Sequence, residues 1–286
     1  MVAIFFYRMA ALLTRLLPVS VSYWLAERAG ELMFLVRFDR RRAVLDNLHH
    51  AFGDQLSGRQ LCSLSRRTFR NFAKTVVDFL RLPSLSKESI REIIGDEWRV
   101  PLLEEWRRGR GVVFLTAHLG NWELGGVAVA SAGIPLTVVA LDHPTEQVTE
   151  FFERRRSDKG LIVLSMREAP RGMLTALRRG DCVALLGDRD FSDRGMGVPL
   201  FGEDVPIPTG AVRLAMKTGA SLFMAFAVRV KGARHRILFE GPLRLVKTGS
   251  ETEDLRANVL LTLEVLERYV RKYPDQWFVF EPLWRS

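Results

Sequence analysis

From residue 111 to 241, strand-length apolar runs alternate with helix-length amphipathic ones, and that rhythm limits the chain to few architectures. GVVFLTA (111–117), PLTVVAL (135–141), LIVLS (161–165) and CVALLGD (182–188) are apolar almost throughout. Runs of that kind suit strands buried on both faces. Between them lie NWELGGVAVASAG, TEQVTEFFERRRSDKG and EAPRGMLTALRRG, which read as helices. Gly133 and Gly180 stop the first and third, and Thr145 is placed to cap the second. TGAVRLAMKTG then predicts a helix with Thr209 as its cap. ASLFMAFAVRV and HRILFEG predict a hairpin around Gly232, and ETEDLRANVLLTLEVLERYVRKY a long final helix. Strands separated by crossover helices imply an α/β fold with a mostly parallel sheet flanked by helices.

The first 109 residues have no such rhythm. RFDRRRAVLDNLHHAFG and SGRQLCSLSRRTFRNFAKTVVDFLRL repeat apolar residues every three or four positions, the helical period. Ser57 is a suitable cap for the second, and Pro83 ends it. The extreme N-terminus is richer in Phe, Leu, Trp and Tyr, but Arg8 and Arg15 interrupt any run of 18 apolar residues. It carries no small-residue cleavage site of the signal-peptide kind. Those arginines sit on one face of a helix, which predicts an interfacial helix in a membrane surface, with a second from about Val19. A pair of core helices and a single tilted span are the alternatives. The division that follows is a membrane-associating segment, residues 1–38, and a domain of residues 39–286, helical over 39–109 with an α/β core over 110–286. Cys62 and Cys182 are far apart and suggest neither a disulfide framework nor a metal site.

Function is most legible where the first strand ends, in TAHLGNWELGG. Reacting groups of α/β sheets gather where strands give way to loops. His118 and Glu123 are five apart; on one continuous helix their side chains would diverge by about 140°. With His118 still in the turn and Glu123 in the first helical turn, they are expected to converge. Gly120 permits the tight backbone and Asn121 caps the helix. A carboxylate on one imidazole nitrogen leaves the other as a base. No Ser or Cys nucleophile accompanies the pair, so the hydroxyl to be activated belongs to a substrate. The backbone N–H groups of Gly120 to Trp122 are candidate oxyanion donors. Spacing alone also fits a helix-capping histidine beside a surface glutamate.

Several blocks, in order, carry a resemblance. HLGNWELGG resembles the His-x4-Asp/Glu block of the bacterial lipid A biosynthesis acyltransferases, a superfamily that includes phosphatidylinositol mannoside acyltransferases. RRAVLDNLHHAFG, ERRRSDKGLIVL and LLGDRDFSDRGMGVPLFGEDVPIPTGAVRLAMKTGA are similar to further family blocks. The resemblance implies a glycerol-phosphate-acyltransferase-like α/β fold at the cytoplasmic face of the inner membrane. It implies transfer of a fatty acyl chain from acyl carrier protein or coenzyme A to a glycolipid hydroxyl, most simply a lipid A precursor, with no resident cofactor or metal. Residue by residue it makes His118 the base, Glu123 its partner, and Arg156 and Asp188 functional, with Arg154 as the substitute for Arg156. Arg189, Asp190, Arg194, Thr209, Gly210 and Arg213, with Gly120 and Asn121, are candidate substrate contacts. Arg156 has a second reading as a solvated helix-end arginine, and Asp188 as a loop cap. The lipid A branch often ends in Trp-x-His-Arg-Arg-Phe; here Glu281 and Pro282 stand where His and Arg would fall. That ending is closer to the glycolipid branch of the superfamily, and it bears on the acceptor, not on the reaction.

Lys and Arg exceed Asp and Glu by nine, 42 against 33. An excess of this size also fits a nucleic-acid-binding protein. Its arginines are scattered, however, with no recognition motif or aromatic box beside them. An anionic membrane surface and acidic substrates account for the same charge without nucleic acid.

Overall fold

The computed structural model describes every residue except Met1, Asp142, Pro144, Ser192, Asp193, Arg285 and Ser286, and omits the side chains of Val2 and Ala3. Among the described residues six α-helices precede the first strand: α1 (Val2–Leu16), α2 (Val19–Val36), α3 (Phe38–Phe52), α4 (Gly58–Arg81), α5 (Lys87–Ile94) and α6 (Arg99–Arg107). Pro18 separates the first two. Ser57 caps α4 through a reciprocal bond pair, its Oγ accepting from Gln60 N–H and Gln60 Oε1 accepting from Ser57 N–H. α4 ends at Arg81, two residues before Pro83.

The alternating region folds as β1 (Val112–Thr116), α7 (Trp122–Ser131), β2 (Leu136–Ala140), α8 (Glu146–Ser157), β3 (Leu161–Ser165), α9 (Ala169–Arg178) and β4 (Cys182–Leu186). A hairpin, β5 (Met196–Leu200) and β6 (Glu203–Ile207), leads into α10 (Gly210–Thr218). Then come β7 (Ser221–Lys231), β8 (Arg234–Glu240) and α11 (Glu251–Lys272). The main sheet runs β3-β2-β4-β1-β7-β8, parallel except for the antiparallel edge strand β8. The β5–β6 hairpin is absent from the sequence reading, because Pro199 and Pro206 interrupt it and its two strands join no larger sheet. Thr145 and Thr209 stand at helix starts but make no side-chain cap. Thr209 Oγ1 instead accepts from Arg213 Nε at 3.0 Å.

Alternate residues of β1 separate the two halves of the core. Val113 and Leu115 pack with α9, α10 and α11, while Val112 and Phe114 pack with α5 and α7. α1 lies on the second side, its Ile4 against Leu80 of α4 and Phe151 of α8. The outward face of α1 and α2 is apolar: Phe5, Phe6, Leu12, Leu16, Trp24 and Leu35 are all exposed. Among the described residues, no helix is long and apolar enough to cross a membrane.

Candidate active site

Strand register builds the centre of the site. β1 and β4 are parallel neighbours with Thr116 opposite Leu186. Two residues further along each chain, His118 and Asp188 therefore arrive side by side. The Nδ1 of His118 and Oδ1 of Asp188 are 2.8 Å apart. The other carboxylate oxygen accepts the His118 backbone N–H at 2.9 Å and the Trp277 indole N–H at 3.1 Å. Asp188 is fully buried. Burial pushes its carboxyl up, but the His118 charge and these hydrogen bonds outweigh that and hold it below the usual carboxylate range. An ionised Asp188 can only accept, so Nδ1 carries the proton and Nε2 is the basic nitrogen. The ring is flanked by Trp122 and Phe191, with centroids 5.2 and 6.4 Å away.

Glu123 is not the partner of His118, contrary to the sequence reading. Both its oxygens are held by Arg156 of α8, with Nη2 to Oε1 at 2.6 Å and Nε to Oε2 at 2.9 Å. Burial lowers the Arg156 guanidinium, and Glu123 more than restores it, leaving it raised. The acid in the first turn of α7 thus meets the base in the last turn of α8, each at the helix end that favours its charge. Arg156 is accordingly not a solvated helix-end arginine: it is largely buried, paired with Glu123 and lines the cavity. Arg154 is well exposed, 3.9 Å from Asp158, and does not line the cavity.

The loop between His118 and α7 is stitched down on two sides. Phe278 N–H donates to His118 O, Gly120 N–H to Gln276 O, and Asn121 N–H to Ala227 O at 2.7 Å. Gly120 has φ +72°, and a Cβ there would lie 2.2 Å from Ala227 O. Asn121 is buried; its Oδ1 caps α7 at Leu124 N–H and its Nδ2 donates to Asp78. Gly120 and Asn121 are therefore framework rather than substrate contacts, and their N–H groups are already used. In the first turn of α7, the N–H groups of Trp122 and Glu123 remain.

His118, Glu123 and Arg156 open onto a cavity of about 1080 Å³. One arm runs between α7 and the sheet, walled by Phe114, Val129, Ala225, Ile237 and Phe239. Gly125 lets α7 approach β7 closely, since a Cβ there would lie 3.0 Å from that of Ala227. At the opposite side Arg189, Asp190, Arg194, Thr209, Gly210 and Arg213 line the same cavity. Arg189 pairs with Glu281, whose second oxygen receives Arg40 at 2.9 Å. Asp190 Oδ2 accepts Gly195 N–H at 2.6 Å. Trp277 was missed by sequence reasoning: it lies 89 residues from Asp188, and no local pattern links them. No cluster of three or more His, Cys, Asp or Glu suited to a metal occurs among the described residues.

Residues 1–286 match the family described as bacterial lipid A biosynthesis acyltransferase. A phosphatidylinositol mannoside acyltransferase of Mycolicibacterium smegmatis is 27% identical over 229 residues, 77% of this chain and 72% of that one. A lipid A biosynthesis palmitoleoyltransferase of Escherichia coli is 25% identical over 269 residues, 91% of this chain and 84% of that one. A lauroyltransferase of lipid A biosynthesis from the same species is 26% identical with the same coverage.

Proposed function

This chain belongs to the bacterial lipid A biosynthesis acyltransferase family and is an acyltransferase, and from that premise we propose that it moves a fatty acyl chain from a thioester to a hydroxyl of a glycolipid. The observation that carries the chemistry is the buried His118–Asp188 pair on the wall of a mostly apolar cavity. His118 Nε2 takes the proton of the lipid hydroxyl as its oxygen attacks the thioester carbonyl. The carbonyl oxygen becomes an oxyanion facing the first turn of α7, where the Trp122 and Glu123 N–H groups are the available donors. The intermediate collapses: a C–O ester bond has formed, the C–S bond breaks, and the thiolate takes its proton from the imidazolium. Asp188 stays ionised throughout and stabilises the charged ring. Glu123 and Arg156 neutralise one another and hold α7 to α8 around the cavity.

The arm beneath α7 suits the acyl chain, and Arg189, Arg194 and Arg213 suit anionic groups of donor or acceptor. The exposed apolar face of α1 and α2 suits an anionic inner-membrane surface, where the cytoplasmic leaflet supplies both negative charge and glycolipid acceptor. A lipid A precursor is the first acceptor to test. A mannosylated phosphatidylinositol is the second, favoured by Glu281 and Pro282 in the closing segment and by the mycobacterial relative. Mass spectrometry of lipids from cells lacking the protein, with wild-type and His118→Ala add-back, tests the proposal. An acyl chain missing from one glycolipid class, restored only by wild type, is the expected result. Restoration by His118→Ala contradicts it.

A further inference from the structure

α9 and α10 pack together on the side of the sheet away from α1, and both present cations without carboxylates. Arg167, in the turn before α9, and Arg171 and Arg178 along the helix are exposed. The seven-residue spacing of Arg171 and Arg178 keeps those two on one helical face. Lys217 follows Arg213 by one turn on α10, and both are exposed. Neither helix contains an acidic residue. Among the described residues, none of these five cations is in an ion pair. The nearby Glu168 is turned back on Ser165, accepting from its hydroxyl at 2.7 Å, and Asp181 is taken by Arg179 at 2.9 Å. On α4, by contrast, Arg66, Arg70 and Lys74 each reach Glu27 or Glu31.

The rows border the site. Pro170 and Met173 of α9 and Gly210 and Arg213 of α10 line the cavity, and Met166 and Phe191 stand half-exposed at its rim. We propose that the outer faces of α9 and α10, with this apolar rim, are the docking surface for an acidic acyl carrier protein that presents its thioester to the cavity. The proposal rests on the thioester-transfer reading above. A run from Arg171 to Arg178 extends roughly 10 Å along the helix, which matches a negatively charged helical face better than the compact phosphates of a nucleotide thioester. An anionic bilayer is the less suitable occupant, because the exposed apolar helix that would meet it lies across the sheet. Complementary charge of this kind acts on encounter rate and falls with ionic strength.

The test compares two donors bearing the same acyl chain, one on a purified acyl carrier protein and one on pantetheine, with wild type and the triple variant Arg171→Glu, Arg178→Glu, Lys217→Glu. None of the three residues lies in the site. The expected result is a fall of tenfold or more in kcat/KM for the carrier-borne donor, steepest at low salt, with less than twofold change for acyl-pantetheine. Equal falls for both donors, or no fall for either, overturn the proposal. So does a variant that loses binding to anionic vesicles while its preference between donors is unchanged. If wild type turns over neither donor, the thioester-transfer reading fails and takes the docking surface with it.

Discussion

His118 has one nitrogen committed to Asp188, and the proposed role of the other as base makes distinct predictions for its neighbours. His118→Ala is expected to lower kcat by roughly 100- to 10,000-fold, the usual worth of a general base. Asp188→Asn replaces an acceptor with an amide that stabilises the wrong tautomer, and an assay should find a loss of roughly 1,000-fold or more. Glu123→Gln acts differently. It leaves a buried Arg156 without its counter-charge, so thermal unfolding should show a stability loss approaching about 3 kcal/mol. Both His118 and Asp188 were visible in the sequence as polar residues ending apolar strands, but their partnership was not. It depends on β4, the fourth strand in sequence, lying next to the first, a choice made by the whole sheet. Spacing favoured Glu123 because it is five residues away, whereas Asp188 is seventy.

Helices and strands from β1 to α11 were legible where their period was strong, the β5–β6 hairpin excepted. What stayed hidden were contacts between elements. Asp78 on α4 receives Tyr23 of α2, Arg229 of β7 and the Asn121 cap of α7, with His235 of β8 3.6 Å away. This buried cluster ties the N-terminal helices to the loop that carries His118. Burial, helped by Arg229, pushes His235 down to about 4, against the pull of Asp78. In the unfolded chain the group titrates near 6.5. Its folded pKa being lower, the unfolded state binds the proton first as pH falls. The contribution to stability is complete above about 6.5 and is lost progressively down to about 4, roughly 3 kcal/mol in all. Thermal melts should therefore fall between pH 7 and pH 4, and His235→Gln should flatten that slope. Asp188, depressed rather than raised, adds a further loss only below about 4. Gly120→Ala, forced to positive φ and into Ala227 O, should cost about 2 kcal/mol or more in denaturant titrations.

At the scale of the molecule, the proposed membrane contact is the apolar outer face of α1 and α2, and the proposed acyl-chain site is the cavity beside the sheet. Replacing Phe5, Phe6 and Trp24 by Ser should move the protein from the membrane to the soluble fraction without touching the cluster at Tyr23. Within the cavity, Gly126→Leu projects a side chain into the arm beneath α7, where an added Cβ would lie 3.6 Å from Leu161. Acyl-chain competition assays should show a shift to shorter chains, since one methylene is worth about 1 to 3 kcal/mol in discrimination. Everything turns on which carboxylate holds the imidazole. The direct measurement is the proton NMR signal of the His118 ring N–H, shifted downfield and protected from exchange when bound to a buried carboxylate. That signal should persist in Glu123→Gln and vanish in Asp188→Asn; loss in Glu123→Gln with survival in Asp188→Asn would contradict the account.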